Sequence, residues 1–309
     1  MKNAFEFKSL AEFLEHFKDE ETCRQHFTAI RFRDCEYCPH CGHTKIYAFS
    51  NGKRYRCASC KEDFTIKTNT VFGESKLPLR KWFIAIYLLS NSSKGISSVQ
   101  LSKHAGVTQK TAWFMDHRLR SAMKANKGQL FGTVEVDETY VGGAVRNMHH
   151  SKVDKRKVGT GGKGKAIVAG IKSRDNKEVR AKVIVAVDSP QLHGMIKSEV
   201  TSGATVCTDE HRAYNNLDGY TRRVVNHSGK IYVEGDTHTN GIESFWALFK
   251  RAYHGIYHQM SPKHLQKYVD ECAYRLNLKS QEMDFPQVFA QTVTRAADGK
   301  QLPYKELIA

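Results

Sequence analysis

Residues Phe131–Val141 read FGTVEVDETYV. Apolar and polar residues alternate along it. Val134 and Val136 fall on one side, Glu135 and Asp137 on the other, which is the two-residue period of a half-buried β-strand. Outward from it, Ala- and Val-rich runs at 165–171 and 179–187 predict two more strands. Gly203–Cys207 predicts a fourth, running into Thr208-Asp209-Glu210, and Arg222–His227 a short fifth. Thr239–Tyr253 predicts a helix whose buried stripe is Ile242, Phe245, Phe249 and Ala252.

Three strands, a helix, a fourth strand, a helix, a fifth strand and a closing helix is the order of a ribonuclease-H-like mixed-sheet α/β core. In that arrangement Asp137 on the first strand and Asp209 at the end of the fourth lie side by side. The closing helix brings Glu243, 34 residues after Asp209. Glu138, Asp188, Glu210 and Asp236 are carboxylates close by in sequence; joint placement at the ends of alternating elements singles out the three. Hard divalent cations prefer carboxylate oxygens. Two Mg²⁺ ions bridged about 3.5–4 Å apart can activate water or a DNA 3′-hydroxyl and stabilise the departing oxygen. Phosphoryl transfer asks the protein for little beyond positioning and charge neutralisation.

Ahead of this core, CPHC at 38–41 and CASC at 57–60 form two CxxC pairs 15 residues apart. Each pair offers two thiolates to one side of an ion, and two pairs close a tetrahedral shell, so Cys38, Cys41, Cys57 and Cys60 are expected to hold one structural Zn²⁺. Cys35 and Cys38 make a competing pair; Pro39 and Gly42 favour a tight turn at 38–41 instead. Arg54, Tyr55, Arg56, Lys61 and Lys67 surround the second pair and are candidates to face DNA phosphates. Between 76 and 125 the pattern is helical: Leu79–Ser90, then Ser98–Ala105, a Gly106-Val107 turn, and a helix Gln109–Met123 capped by Thr108. This resembles a helix-turn-helix, with Ala112, Met115, Leu119 and Ala122 buried. Lys110, His117, Arg118 and Arg120 are expected outside, and Lys110, Arg118 and Arg120 are DNA-binding candidates. Residues 146–165 carry seven Lys or Arg, one Asp and four Gly; this stretch is expected as a mobile loop whose Lys155, Arg156 and Lys157 contact DNA.

The 309 residues are thus expected as an N-terminal helical segment (1–30), a zinc ribbon (31–70), a helix-turn-helix-like region (71–130), the catalytic core (131–255) and a C-terminal helical region (256–309). The formal charge of +16 calls for a polyanionic partner, and nucleic acid is the first candidate. No apolar run approaches the ~18 residues of a membrane span. The opening MKNAFEFKSL carries no apolar leader, so a soluble, cytoplasmic, nucleoid-associated protein is expected.

Read together, CPHC…CASC, EVDETYVGG (135–143), TDEHRAY (208–214), HTNGIESFWALFKR (238–251) and YHQMSPKHLQKYVDECAYRLN (257–277) resemble the DDE-type insertion-sequence transposases with an N-terminal zinc ribbon. The resemblance runs from about residue 10 to 280. It implies Mg²⁺ or Mn²⁺ dependence, binding of double-stranded DNA at the inverted-repeat ends of the parent element and at a target, and strand cleavage followed by strand transfer. It carries active-site roles to Asp137, Asp209, Glu243 and Lys250. Parts of the family use an Asn as third residue, so Asn240, three before Glu243, competes with it; the 34-residue step and Lys250, seven after Glu243, favour the glutamate. Joining two ends implies a homo-oligomer on DNA. The alternatives are a DNA-binding regulator with an inactive core, which does not need the three carboxylates together, and a nuclease of the same fold.

Overall fold

Capping side chains set where the first helices begin. The computed structural model describes residues 7–124, 128–143, 164–226 and 235–308. In it Ser9 caps α1 (Leu10–His16) and Asp19 caps α2 (Glu20–Arg31), each side chain accepting a backbone N–H three residues on. A small antiparallel sheet follows, β1 (Ile46–Ala48), β2 (Tyr55–Cys57) and β3 (Asp63–Phe64), in that order. Then come α3 (Leu79–Asn91), α4 (Ser98–Ala105) and α5 (Gln109–Ala122). Gly106 stops α4 in the left-handed region at φ 59°, where its lack of a side chain removes the steric penalty, and Thr108 caps α5 by accepting Thr111 N–H.

The second unit, Ala125–Glu282, is built on one mixed sheet. β4 (Thr133–Val141), β5 (Ala166–Ser173) and β6 (Val179–Ile184) run antiparallel; β7 (Thr205–Thr208) joins β4 in parallel and β8 (Thr221–Val224) joins β7 in parallel. The order across the sheet is β6-β5-β4-β7-β8. Alternation along β4 divides two cores. Val134 and Val136, with Ile171 and Val206, pack on Leu192, Met195 and Ile196 of α6 (Ser189–Glu199). Val141 and Val168 on the opposite face pack with Ile242, Phe245 and Phe249 of α7 (Asn240–Ala252) and Val269 and Cys272 of α8 (Leu265–Ser280). Asp188 caps α6 by accepting Gln191 N–H at 3.0 Å, which accounts for that carboxylate.

The expected helix between the fourth and fifth strands is not among the described residues; only a 3₁₀ turn, Arg212–Tyr214, stands there. The intervening chain holds Asn215, Asn216 and Gly219, which favour turns over a longer helix. The expected single C-terminal region from 256 also divides. Asn277 on α8 exchanges hydrogen bonds with the Val179 backbone of β6, so α8 belongs with the sheet. From Met283 the chain belongs to the first unit, Met1–Lys124 with Met283–Ala309. There α9 (Phe285–Asp298) starts on a capping box of Asp284 and Gln287 and sends Phe285 and Phe289 against Phe7, Phe13 and Tyr87. A last short helix, α10, covers Tyr304–Ile308. Among the described residues no helix is long and apolar enough to cross a membrane.

Candidate active site and metal centre

Two hairpin-like turns build the cysteine cluster. In the first, Gly42 donates to Cys38 O at 2.8 Å and sits at φ 77°. In the second, Lys61 occupies the equivalent place after Cys60, at φ 62°. The ligand atoms of Cys38, Cys41, Cys57 and Cys60 all lie within 4.8 Å of one another. Sγ separations are 3.7 Å for Cys38–Cys60 and 3.6 Å for Cys41–Cys57. A zinc tetrahedron with Zn–S near 2.3 Å has edges of about 3.8 Å, so the donor set fits that ion. Cys35 is exposed and outside the cluster, which settles the register as 38–41. Arg54, Arg56 and Lys61 are exposed, as a DNA-facing surface would require. Tyr55 is not: its ring is buried and stacks on Phe64 at 5.5 Å. Lys67 is half-buried and donates to the carbonyls of Ser75 and Leu77.

On α5 the expected outward basic face is only partly outward. Lys110 is exposed, its Nζ 5.3 Å from the Tyr304 ring centre. His117, Arg118 and Arg120 are buried instead. Arg118 donates to Gly73 O at 2.6 Å and lies over the Trp82 and Phe114 rings. The physical reason is that α5 is covered on more than the one stripe its periodicity marks. Lys155, Arg156 and Lys157 lie outside the described residues.

The sheet brings Asp137 and Asp209 together. Glu135 pairs with Cys207 across the parallel β4–β7 ladder, and two residues further along each chain stand Asp137 and Asp209. Asp137 shares a strand face with Glu135 and meets α7, where Trp246 Nε1 donates to its Oδ2 at 3.0 Å. Gly170, directly opposite Asp137 on β5, makes this approach possible: a Cβ there would stand 2.7 Å from the Trp246 ring. Burial first, then the Glu138 and Asp209 carboxylates, push Asp137 up to about 7. Glu138 is raised too, chiefly by burial and also by Asp209, against the Tyr214 hydroxyl that donates to it at 2.7 Å. Asp137 and Glu138 are thus both held against ionisation, with Asp209 adding to each. Arg222 of β8 anchors the turn that carries Asp209, donating to Asp209 O at 2.9 Å and to Thr208 Oγ1 at 3.0 Å.

Glu243 and Asn240 both stand exposed in the first turns of α7. Glu243 Oε1 accepts from Thr239 Oγ1 at 2.8 Å. Among the described residues the four cysteines are the one set of three or more His, Cys, Asp or Glu whose ligand atoms lie within 4.8 Å, so Asp137, Asp209 and Glu243 do not share a single ligand sphere here. The aspartate pair fits a hard cation by donor chemistry and mutual repulsion; the third ligand is not singled out by contact. Lys250 stands one face along α7, in a cavity of about 320 Å³ that it lines with Tyr140, Lys165, Tyr253 and His254. Glu138, Tyr214, Trp246 and Arg222 were not chosen from the sequence as parts of the site; Glu138, Tyr214 and Trp246 stand inside the EVDETYVGG, TDEHRAY and HTNGIESFWALFKR stretches, and Arg222 opens the expected fifth strand.

Comparison with known proteins gives the following. Residues 129–277 match the ISXO2-like transposase domain, and residues 18–63 the transposase zinc-ribbon domain. The chain is 30% identical over 250 residues to an uncharacterized protein in transposable element ISH50 of Halobacterium salinarum, covering 77% of this chain and 84% of that protein. It is 34% identical over 108 residues to an uncharacterized transposase-like protein of Haemophilus influenzae, covering 32% of this chain and 83% of that one. A simian T-cell lymphotropic virus intasome in complex with PP2A regulatory subunit B56 gamma aligns over 57% of this chain and 60% of its own, at 11% identity and a TM-score of 0.27, too low to carry an argument.

Proposed function

The chain belongs to the ISXO2-like transposase family, with a transposase zinc ribbon in its first unit, and from that premise we propose that it cuts and joins DNA at the inverted-repeat ends of an insertion sequence by divalent-metal-dependent phosphoryl transfer on a ribonuclease-H-like core. The observation that carries this reading is the Asp137–Asp209 pair, set abreast by the parallel β4–β7 ladder, with Asp137 pushed up to about 7 by burial and by the neighbouring Glu138 and Asp209 carboxylates. A half-buried like-charge pair of this kind costs stability unless a cation or a proton relieves it. Mg²⁺ or Mn²⁺ held by Asp137 and Asp209, with Glu243 or Asn240 completing the set, would supply charge neutralisation at phosphorus and a stronger oxygen nucleophile.

The chain's own groups prepare that place. Trp246 holds one oxygen of Asp137 and leaves the other to a ligand. Tyr214 and Arg222 hold Glu138 and the Asp209 turn in register. In the reaction a water oxygen attacks phosphorus, the phosphorus–3′-oxygen bond breaks, and a free 3′-hydroxyl remains. That hydroxyl attacks a target phosphorus and displaces the target's own 3′ oxygen. Lys250, with Lys165 beside it, offers positive charge to a phosphate near the cut. Arg54, Arg56, Lys61 and Lys110, exposed on the first unit, and Lys155, Arg156 and Lys157 of the core are the proposed backbone contacts. Two ends joined together call for a homo-oligomer.

The test is a joining assay. Purified chain, a duplex taken from the DNA flanking its gene, and a plasmid target are incubated with Mg²⁺. The expected result is cleaved ends and ends joined to plasmid. Cleaved ends that are never joined favour a nuclease. DNA binding without cleavage in Mg²⁺ or Mn²⁺ favours a regulator with an inactive core.

A further inference from the structure

Helix α7 begins in an unusual way. Its first turn has no cap from Thr239, the residue in the capping position. Thr239 Oγ1 donates to the Glu243 carboxylate instead. The acceptor that a capping side chain normally supplies comes from another strand: Ile242 N–H donates at 2.9 Å to Oε2 of Glu135 on β4. Glu135 is 2% exposed, so its charge is costly unless it is compensated. The compensation is local. Arg174 Nε donates to Oε1 at 2.8 Å, and His238 Nδ1 lies 3.2 Å from the same oxygen. The same Arg174 guanidinium donates to the carbonyls of Asp236 and His238, so one fork grips the carboxylate and the chain leading into α7 together. Lys172 adds a contact to Gly241 O. Gly241 has to be glycine for this: a Cβ would lie 2.7 Å from Glu135 Oε2.

We propose that Glu135 is a positioning residue of the active site, clamping the first turn of α7, and with it Asn240 and Glu243, to the strand that carries Asp137. The proposal rests on the metal-dependent reading above. Glu135 touches neither substrate nor metal in it. By taking over the cap it frees Thr239 to hold Glu243, and it fixes the distance from the helix start to Asp137 two residues along its own strand. Glu135 and Asp137 alternate with Val134 and Val136 and so point to the same face of β4. Groups that orient metal ligands from behind typically change metal affinity or activity ~10–100-fold when removed.

The experiment compares the full-length wild type with Glu135→Gln, Arg174→Met, Gly241→Ala and a control, Arg180→Met. Arg180 is also a buried ion-pair residue of the same unit; its partners are Glu178, Glu199 and the Gly128 carbonyl, none of them on α7. Three quantities are read: melting temperature, amide hydrogen exchange over residues 236–243, and the Mg²⁺ concentration for half-maximal cleavage of a duplex from the gene's flanks. The expected result is faster exchange and an Mg²⁺ requirement raised ~10–100-fold in the three clamp variants, partly restored by Mn²⁺. Arg180→Met should lower the melting temperature and leave the Mg²⁺ requirement alone. Unchanged exchange in Glu135→Gln overturns the clamp. Faster exchange with an unaltered Mg²⁺ requirement, or an equal rise in Arg180→Met, reduces Glu135 to a stabilising residue and overturns its positioning role. Should Arg174→Met or Gly241→Ala fail to fold, Glu135→Gln, which keeps the volume but only one of the two acceptor oxygens, decides alone. A wild type that never cleaves contradicts the metal-dependent reading itself, while exchange still reports on the clamp.

Discussion

Gly170 shows how much one missing side chain can matter. Its hydrogen faces the Trp246 ring where a methyl would stand at 2.7 Å, and Trp246 is the donor to Asp137. Overpacking of this kind costs about 1–3 kcal/mol and moves backbone. Gly170→Ala is therefore expected to lower the melting temperature and to cut cleavage by more than the stability loss explains, because α7 must shift away from Asp137. Normal cleavage with a normal melting temperature would show that the close contact is dispensable. A second residue question is whether Glu243 or Asn240 completes the metal set. A carboxylate brings charge to the ion and an amide only a carbonyl oxygen. Glu243→Gln is expected to lose cleavage in Mg²⁺ and recover part of it in Mn²⁺, with Asn240→Ala the milder variant. The reverse ranking, with Asn240→Ala dead and Glu243→Gln normal, assigns the place to the asparagine. Strand alternation made the face of β4 that carries Asp137 legible, and the place of Asp209 just past β7 followed from the strand end. Glu135 was not legible as a buried anchor, because a lone Glu in a strand reads as a solvent-facing residue and its partners Arg174 and Ile242 are 39 and 107 residues away. Arg118 and Arg120 misled for the opposite reason: helical period marks one stripe, and α5 buries more than one.

At the scale of elements, the cysteine turns are the most self-contained piece. Their Sγ atoms already stand at separations close to those of a zinc tetrahedron, and zinc binding in small modules is also folding free energy, of order 10 kcal/mol near neutral pH. Purified chain is expected to carry one zinc per protein. Cys57→Ser is expected to lose it and to speed hydrogen exchange across 38–64 while exchange in β4 and β7 stays slow. Zinc-free wild type, or slow exchange in the variant, would remove the structural role. Local signals made this region and the α4–α5 pair readable: CxxC spacing, Gly42, Gly106 and the Thr108 cap all act within a few residues. The return of α9 to the first unit was not readable. Its Phe285 and Phe289 find Phe7 and Phe13 across more than 270 positions, and no local pattern records such a pairing.

At the scale of the whole molecule, a charge of +16 and two separately organised units frame the reading. The exposed cations of the first unit and the lysine-lined cavity of the second each suit a polyanion. Charge alone describes any nucleic-acid binder; what we propose is chemical, that Asp137 and Asp209 hold the ion with which this chain cuts DNA. Removing either carboxylate deletes a ligand and also lessens repulsion of phosphate, so binding and cleavage should part company. The direct measurement is cleavage of a duplex from the gene's flanks in Mg²⁺ by wild type, Asp137→Ala and Asp209→Ala, with DNA affinity measured in parallel at one fixed salt concentration. Cleavage by the wild type and none above background by either variant, with affinity equal or tighter, is the expected result; full cleavage by either variant would show that the aspartates do not hold the ion.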